Sequence, residues 1–546
     1  MFRKHYNLNL FDSATSAKKK MRDFRRGYLI YKKNDEIYLF RKIKGLLNQK
    51  KIYFDKLFLN LLLKIFPEFK NINFDLNLSQ FIFQKSRIKR IYLDMLICKF
   101  KKKKICQFIC KEYSQVLEQN NYKVSKISHL ILWPLYCLLF WCYGNYIFLL
   151  IIIKSIRNFF RKDTNIDQYF FGITSDNLPI EDKINETRES YDLISWFSNY
   201  FKNDFKNDKK IIAHDNKNLN KRIVGDTEIS FLEEPWYYIN GPIKLFFFCI
   251  VGFLISITSL FLIFFNKWSA ACLLSEILKA ISVIFSNTNK ISNKYLFHFS
   301  ETIYRPLWTY ILENNKVDII CYFYSAFDHP TNKKTNEIGH TYEYGNMSWS
   351  KIFVWDEIQK NKISKYVRDD ITNIEIINTG PIWFTDSNFV FNNKKEKIII
   401  FDMTVHRKSV HYGFYDTAEY TDLIDRFNCI FLNDIFNTFK SSKYEIILKR
   451  KRPSYYQKTN YKKLVEKLRA KGLVSIEKPV SPYYLLKNSK ISISTPFTSA
   501  NLYLKDLKNN FYYDPIKQIS KNDIASRKLP IISGIEELNR IKNKLI

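Results

Sequence analysis

Glycine and proline are scarce in this chain, 13 and 14 among 546 residues, while lysine, asparagine, isoleucine, phenylalanine and tyrosine abound, a set that AT-rich codons favour. A hydrophobic content of 46% is ample for real cores and excludes a disordered chain; the length suits three or four domain-sized units. The nine cysteines are scattered from Cys98 to Cys429 without a CxxC pair. Neither a disulfide framework nor a zinc site is signalled, and a reducing compartment is the simple expectation. Residues 1–20 lack an apolar run, which argues against a secretory signal. No RRM, KH or helix-turn-helix signature is present.

Acidic residues are also in short supply, 53 against 87 basic ones, for a formal net charge of +34. The imbalance is local. Residues 1–126 hold 30 basic and 10 acidic side chains, whereas residues 155–243 hold 12 and 15. A basic helical region facing anionic lipid gains about 1 kcal/mol per cation near the surface. A solvated face in a lysine-biased proteome fits equally, and nucleic-acid binding fits the mixture of Lys and aromatics.

Two long runs lack acidic and basic residues other than His129, one between Lys126 and Lys154 and one between Lys244 and Lys267. Each is long enough to cross about 30 Å of hydrocarbon at ~20 residues. The positive-inside rule puts the basic amino-terminal region in the cytoplasm and the acidic stretch outside. The segments Tyr169–Ile173 and Lys210–His214, however, read as buried strands whose partners must follow residue 290. A sheet cannot be split across a bilayer, so this pairing makes the second run re-entrant or in-plane.

From residue 293 onward, strands alternate with helices. Strands are expected at Tyr295–Phe299, Val317–Tyr324, Lys351–Trp355 and Asn373–Asn378, with helices at Tyr304–Asn314 and Glu357–Val367. After a polar linker, Asn392–Lys397, the pattern restarts with strands Lys397–Phe401, Tyr444–Lys449, Val474–Ile476, Ile491–Ser494 and Asn510–Tyr513. Helices are expected at Thr421–Thr438, Tyr461–Ala470, Pro482–Lys487, Thr498–Leu507 and Gly534–Leu545. Apolar strands alternating with helices imply parallel sheets covered on both faces. The chain thus divides into a basic helical region (1–126), an apolar membrane segment (127–153), a Rossmann-like domain (154–391) interrupted by the apolar segment 245–266, and a second Rossmann-like domain (392–546). Two such units create a cleft between them.

Chemistry-bearing residues gather at strand ends. Ser492 to Ser499 ends a buried strand in a hydroxyl-rich turn, and Thr495, Thr498 and Ser499 there suit a phosphate or, more simply, cap a helix. Lys449-Arg450-Lys451-Arg452 follows another strand and can neutralise a diphosphate, or can be solvated surface. His406, after Asp402, is a candidate acid or phosphate contact. In the first unit, Glu301, Asp356 and Glu357 follow strands, where a carboxylate can act as general base towards an acceptor hydroxyl or simply cap a helix.

These residues carry a resemblance. Thr495-Pro496-Phe497-Thr498-Ser499, Tyr512-Tyr513-Asp514-Pro515 and Leu529-Pro530-Ile531-Ile532-Ser533-Gly534, with Tyr304-Arg305-Pro306-Leu307-Trp308, Trp355-Asp356-Glu357 and Gly380-Pro381-Ile382-Trp383-Phe384 upstream, are similar to bacterial polysaccharide biosynthesis proteins named for a Pro-Phe-Thr-Ser motif. The resemblance spans residues 268–546. It implies an α/β fold, a GT-B-like pair of Rossmann-type domains, which stands behind the amino-terminal helical, membrane-associated region read from the charge and the apolar runs. It further implies a metal-independent glycosyltransferase with no cofactor, at the cytoplasmic face of a bacterial inner membrane. Its partners would be a nucleotide-sugar donor, a glycan or lipid-linked acceptor and the membrane, with no nucleic acid. Thr495, Thr498, Ser499, Lys449, Arg450, His406 and Asp514 would then hold the donor, with Glu301 or Asp356 as base. Members using cytidine-monophosphate sugars have a His-Pro pair where Lys449-Arg450-Lys451-Arg452-Pro453 stands here, a departure that leaves the donor nucleotide open. The competing expectations are a non-catalytic membrane scaffold with a degenerate GT-B fold, and a basic RNA-binding or ribosome-associated protein.

Overall fold

The computed structural model describes residues 49–85, 104–160, 166–181, 192–201, 210–287, 291–299, 304–326, 347–367, 374–382, 389–391, 395–402, 424–450, 460–477, 480–504 and 509–545, with a few isolated positions besides. Strands β1 (Gln168–Phe171), β2 (Lys210–His214), β3 (Arg222–Val224), β4 (Thr227–Phe231), β5 (Lys294–Phe299), β6 (Asp318–Phe323), β7 (Lys351–Val354) and β8 (Glu375–Asn378) form one sheet. Its order is β3-β4-β2-β1-β5-β6-β7-β8, parallel except for the β3/β4 hairpin. Five consecutive buried residues in β6, Ile319 to Phe323, mark a strand covered on both faces. The pairing of β1 with both β2 and β5 resolves the conflict in the sequence: Gln168 lies opposite Lys294, so residues on either side of the second apolar run share one sheet.

The helices of this half are α1 (Lys56–Ile65), α2 (Phe74–Lys85), α3 (Lys111–Gln119), α4 (Trp133–Asn158), α5 (Leu193–Tyr200), α6 (Gly241–Phe264), α7 (Ser269–Ile284), α8 (Leu307–Asn314) and α9 (Glu357–Tyr366). The two apolar runs become α4 and α6, and both pack on the buried α7. Close approach needs glycine at two points: a Cβ on Gly144 would sit 2.7 Å from Leu274, and one on Gly252 would sit 2.3 Å from Phe148. The Trp141 indole donates to the Ser256 carbonyl at 2.9 Å, tying α4 to α6. On its other side α7 meets the amino-terminal region, where Asp55 N donates to Ser269 Oγ at 3.0 Å and the Phe66 ring lies edge-on to Phe285. Residues 77–80 continue to α8 and the sheet, through Asn77 to Tyr310 and Gln80 to Ser348.

The carboxyl-terminal half holds β9 (Lys397–Phe401), β10 (Glu445–Lys449), β11 (Val474–Ile476), β12 (Ile491–Ser494), β13 (Asn510–Asp514) and β14 (Ile531–Ser533), all parallel, in the order β11-β10-β9-β12-β13-β14. Every residue of β9 is buried, and alternation sorts them: Ile398 and Ile400 meet α10 (Ile424–Phe439) and α11 (Asn460–Arg469), while Ile399 and Phe401 meet α12 (Pro482–Lys487). Helix α13 (Ile535–Leu545) closes the unit. Phe497, Leu502, Tyr512 and Leu529 join the apolar cluster of the first half, so the two halves share buried surface.

Of the expected helix Thr498–Leu507, residues 505–507 lie outside the described residues and the rest holds only a short 3-10 turn, Ser499–Leu502. Amide side chains compete for the groups a helix would use: Asn510 Nδ2 donates to the carbonyls of Asn501 and Leu504, and Asn501 itself bridges Ser492 and Phe511. Strands β3, β4 and β14 and helix α5 were not expected from the sequence.

Candidate functional site

The second sheet has the 3-2-1-4-5-6 order of a doubly wound unit, with its first strand, β9, beside its fourth, β12. Connections leave in opposite directions there, which opens a crevice at the carboxyl ends of the two strands. Asp402 and Thr495 line it. Thr495 N donates to Phe401 O at 3.1 Å, Thr498 N donates to Thr495 O at 3.2 Å, and the Thr495 and Thr498 hydroxyls lie 2.7 Å apart. Between them Phe497 has φ 62°, an uncommon conformation for an aromatic residue that concentrates at functional loops. Its ring packs on Tyr512, with 5.6 Å between centroids. The buried Ser494 hydroxyl has no hydrogen-bond partner among the described residues.

Lys449 and Arg450 end the neighbouring β10. Arg450 is 4% exposed, with its guanidinium 3.8 Å from Asp402 and 3.6 Å from Glu477, so much of its charge is already balanced. Asp402 also accepts from the buried Tyr461 hydroxyl at 2.8 Å. The Lys449 ammonium donates to the Arg450 carbonyl at 3.0 Å. Burial lowers its pKa, and Asp402 opposes that shift. Of the two cations, Lys449 is the better placed to meet an incoming anion.

Three other expected site residues have structural jobs. The Ser499 hydroxyl lies 2.7 Å from Ser325 Oγ and accepts from Ala326 N at 3.2 Å, joining the crevice loop to the end of β6. Because the turn after Thr498 is only four residues long, it offers no helix dipole for a phosphate. Asp356 caps α9 by accepting from Gln359 N at 2.9 Å, and its other oxygen pairs with Arg527 of the second half. Asp514 is fully buried and accepts from Ile516 N at 3.2 Å and Ile519 N at 2.7 Å, fixing the turn after β13. Glu301 and His406, with Lys451 and Arg452, lie outside the described residues.

The contacts Ser325 to Ser499, Asp356 to Arg527 and Trp355 to Tyr503 join the carboxyl ends of β6 and β7 to the segments that follow β12 and that precede β13 and β14 in the second half. The first sheet has its own switch point between β1 and β5. Gly172 there has φ 78°, and a Cβ on it would lie 2.3 Å from the His298 ring. His298 Nδ1 is 3.2 Å from Phe171 O. Burial lowers the His298 pKa, partly offset by that hydrogen bond. Gly172 N donates to Asp215 Oδ1 at 3.0 Å. Burial pushes the Asp215 carboxyl up to about 6, helped by Glu234 and opposed by the Gly172 N–H. His214, beside it, is held neutral by burial, with a pKa of about 4. Sequence reasoning missed Asp215 and His298, although Asp215 follows the expected strand Lys210–His214 and His298 lies within the expected strand Tyr295–Phe299.

Two mainly parallel, doubly wound sheets joined through the loops at their strand ends make this chain a GT-B-like α/β protein. Residues 255–541, more than half of the chain, match the model of the polysaccharide biosynthesis PFTS motif proteins, and the chain belongs to that family. No curated protein matches it. Similar solved structures include trehalose-6-phosphate from E. coli bound with UDP-2-fluoro glucose, at 9% identity and a TM-score of 0.34, covering 69% of this chain and 91% of that one. The wall teichoic acid polymerase TagF gives 10% and 0.35, covering 74% and 90%. The UDP-GlcNAc 2-epimerase of Methanocaldococcus jannaschii in complex with UDP-GlcNAc and UDP gives 13% and 0.32, covering 70% and 92%.

Proposed function

We propose that this protein is a glycosyltransferase that moves a sugar from a nucleotide-sugar donor to a polysaccharide or lipid-linked glycan acceptor at the cytoplasmic face of a bacterial inner membrane. The observation that carries the reading is the crevice at the carboxyl ends of β9 and β12, where the strained Thr495–Thr498 loop stands beside Lys449 and is tied through Ser499 to the end of β6, in the sheet that also carries Asp215 and His298. Hydroxyls and one ammonium suit a diphosphate leaving group. In the other sheet, the Asp215 carboxyl with a pKa of about 6 is largely ionised at neutral pH and still basic enough to take a proton from an acceptor hydroxyl. Asp215 therefore replaces Asp356 as the base in this reading.

A thermal-shift screen of the full chain against uridine, cytidine, guanosine and thymidine sugar nucleotides tests it. One of them should raise the melting temperature, and Thr498→Ala should diminish the rise. The occupation of Ser499, Asp356 and Asp514 by structural bonds favours a second reading, a scaffold of polysaccharide assembly that keeps the fold without the chemistry. That reading gains if no sugar nucleotide shifts the melting point.

A further inference from the structure

We infer that α4 and α6 form a monotopic docking face, lying side by side in one leaflet of an anionic membrane and not crossing it. This rests on the membrane part of the proposed function and is independent of its chemistry. In each helix only 28% of the most apolar stretch is buried in the protein. Leu139, Leu149 and Ile153 of α4 and Phe246, Phe253 and Phe261 of α6 are exposed, each by more than half. An apolar surface running the length of two helices of 26 and 24 residues is far larger than a soluble monomer leaves bare.

What covers it is indicated by charge. The two helices carry no acidic residue, and exposed Lys126, Arg157 and Lys244 stand at their ends. Apolar centre and cationic rim are the pattern of an interfacial helix on anionic lipid. The packing excludes a crossing. A bilayer spanned by α4 and α6 would also enclose α7, which packs along both and carries a Glu276–Lys279 pair at its middle. It would enclose α1 as well, because Asp55 is bonded to one end of α7 and Phe66 packs on the other, with exposed Lys56 and Lys64 between them. Residues 74–85 then continue without a break to α8 and Ser348. Polar backbone and charged side chains of this kind do not face hydrocarbon. With the body on one side of α4 and α6, lipid can only meet the other.

Flotation of the detergent-free full chain on sealed vesicles tests this, using phosphatidylglycerol with phosphatidylcholine in equal parts against phosphatidylcholine alone. Expected is flotation with the anionic vesicles, reduced at least tenfold by Phe246→Glu with Phe253→Glu at unchanged circular dichroism. In a background with Cys106→Ser and Cys142→Ser, single Lys126→Cys, Arg157→Cys, Lys244→Cys and Lys267→Cys reporters should all react with impermeant maleimide from outside the vesicle. Protection of one end of either helix while the other reacts would show a crossing and overturn the in-plane reading. Absence of flotation, with a dimer by light scattering that the same double variant disperses, would assign the face to a second copy and overturn the membrane reading itself. Neither outcome touches sugar-nucleotide binding, which the thermal-shift screen reads separately.

Discussion

Ser499 Oγ lies 2.7 Å from Ser325 Oγ, and this single contact ties the loop of the family motif to a strand end of the opposite sheet. The last residue of the Pro-Phe-Thr-Ser run thus sets the distance between the halves, while Thr495 and Thr498 shape the crevice. Replacing Ser499 by Ala is expected to lower stability by about 1 kcal/mol, seen as a lower urea midpoint, with donor affinity changed less than twofold. Thr495→Ala with Thr498→Ala should do the reverse, weakening donor binding roughly tenfold or more in calorimetry with little change in the midpoint.

Asp356 offers a sharp choice between base and brace. Its partner Arg527 is 8% exposed, so Asp356→Asn leaves a largely buried guanidinium without this carboxylate. We expect a loss of about 2 kcal/mol in urea unfolding, and transfer activity within tenfold of the original. A fall of a thousandfold at unchanged stability would make Asp356 the chemical base after all.

Asp215 carries a pH signature. Its folded pKa of about 6 lies above its ordinary 3.8, so the folded protein holds the proton more tightly than the unfolded chain does. The resulting stabilisation is present below pH ~4 and is lost as pH rises towards 6. Asp215→Asn is therefore expected to stabilise the protein at pH 7.5, by about 1–2 kcal/mol once partial exposure is allowed for, while abolishing transfer. For the proposed transfer by the unmodified protein, kcat/KM should rise with pH through about 6, because the base must be ionised.

Gly172 combines a left-handed φ of 78° with the His298 ring where a Cβ would stand. Gly172→Ala should cost about 1–2 kcal/mol from the backbone alone and more from the displaced ring. We expect the loss in thermal unfolding, together with a raised KM for acceptor at an unchanged donor dissociation constant.

The second half of the fold was readable because its strands are short stretches rich in Ile and Val closed by polar turns. Lys397–Phe401, Val474–Ile476 and Ile491–Ser494 coincide with β9, β11 and β12. The β3/β4 hairpin escaped because it is short and partly polar, although Gly225-Asp226 at its tip is a two-residue turn signal. The helix expected after Thr498 failed for a reason invisible to periodicity, the capture of its carbonyls by Asn510. The site was legible at the level of strand ends and no further. That Ser499, Asp356 and Asp514 brace the structure, and that Asp215 and His298 flank Gly172, depends on long-range packing that no local pattern encodes.

The pairing of Gln168 with Lys294 joins residues 126 positions apart and leaves the first sheet unfinished until β5 is made. During synthesis β1 keeps an open edge while α6 and α7 emerge, two apolar helices with no completed body to rest on. Such non-local closure is slow and leaves sticky surface in the meantime. A nascent chain arrested before Lys294 should accordingly aggregate or recruit chaperones, whereas one arrested after Phe299 has the strand it needs to close. On the proposed docking, early contact of α4 with lipid would shield the growing chain through that interval.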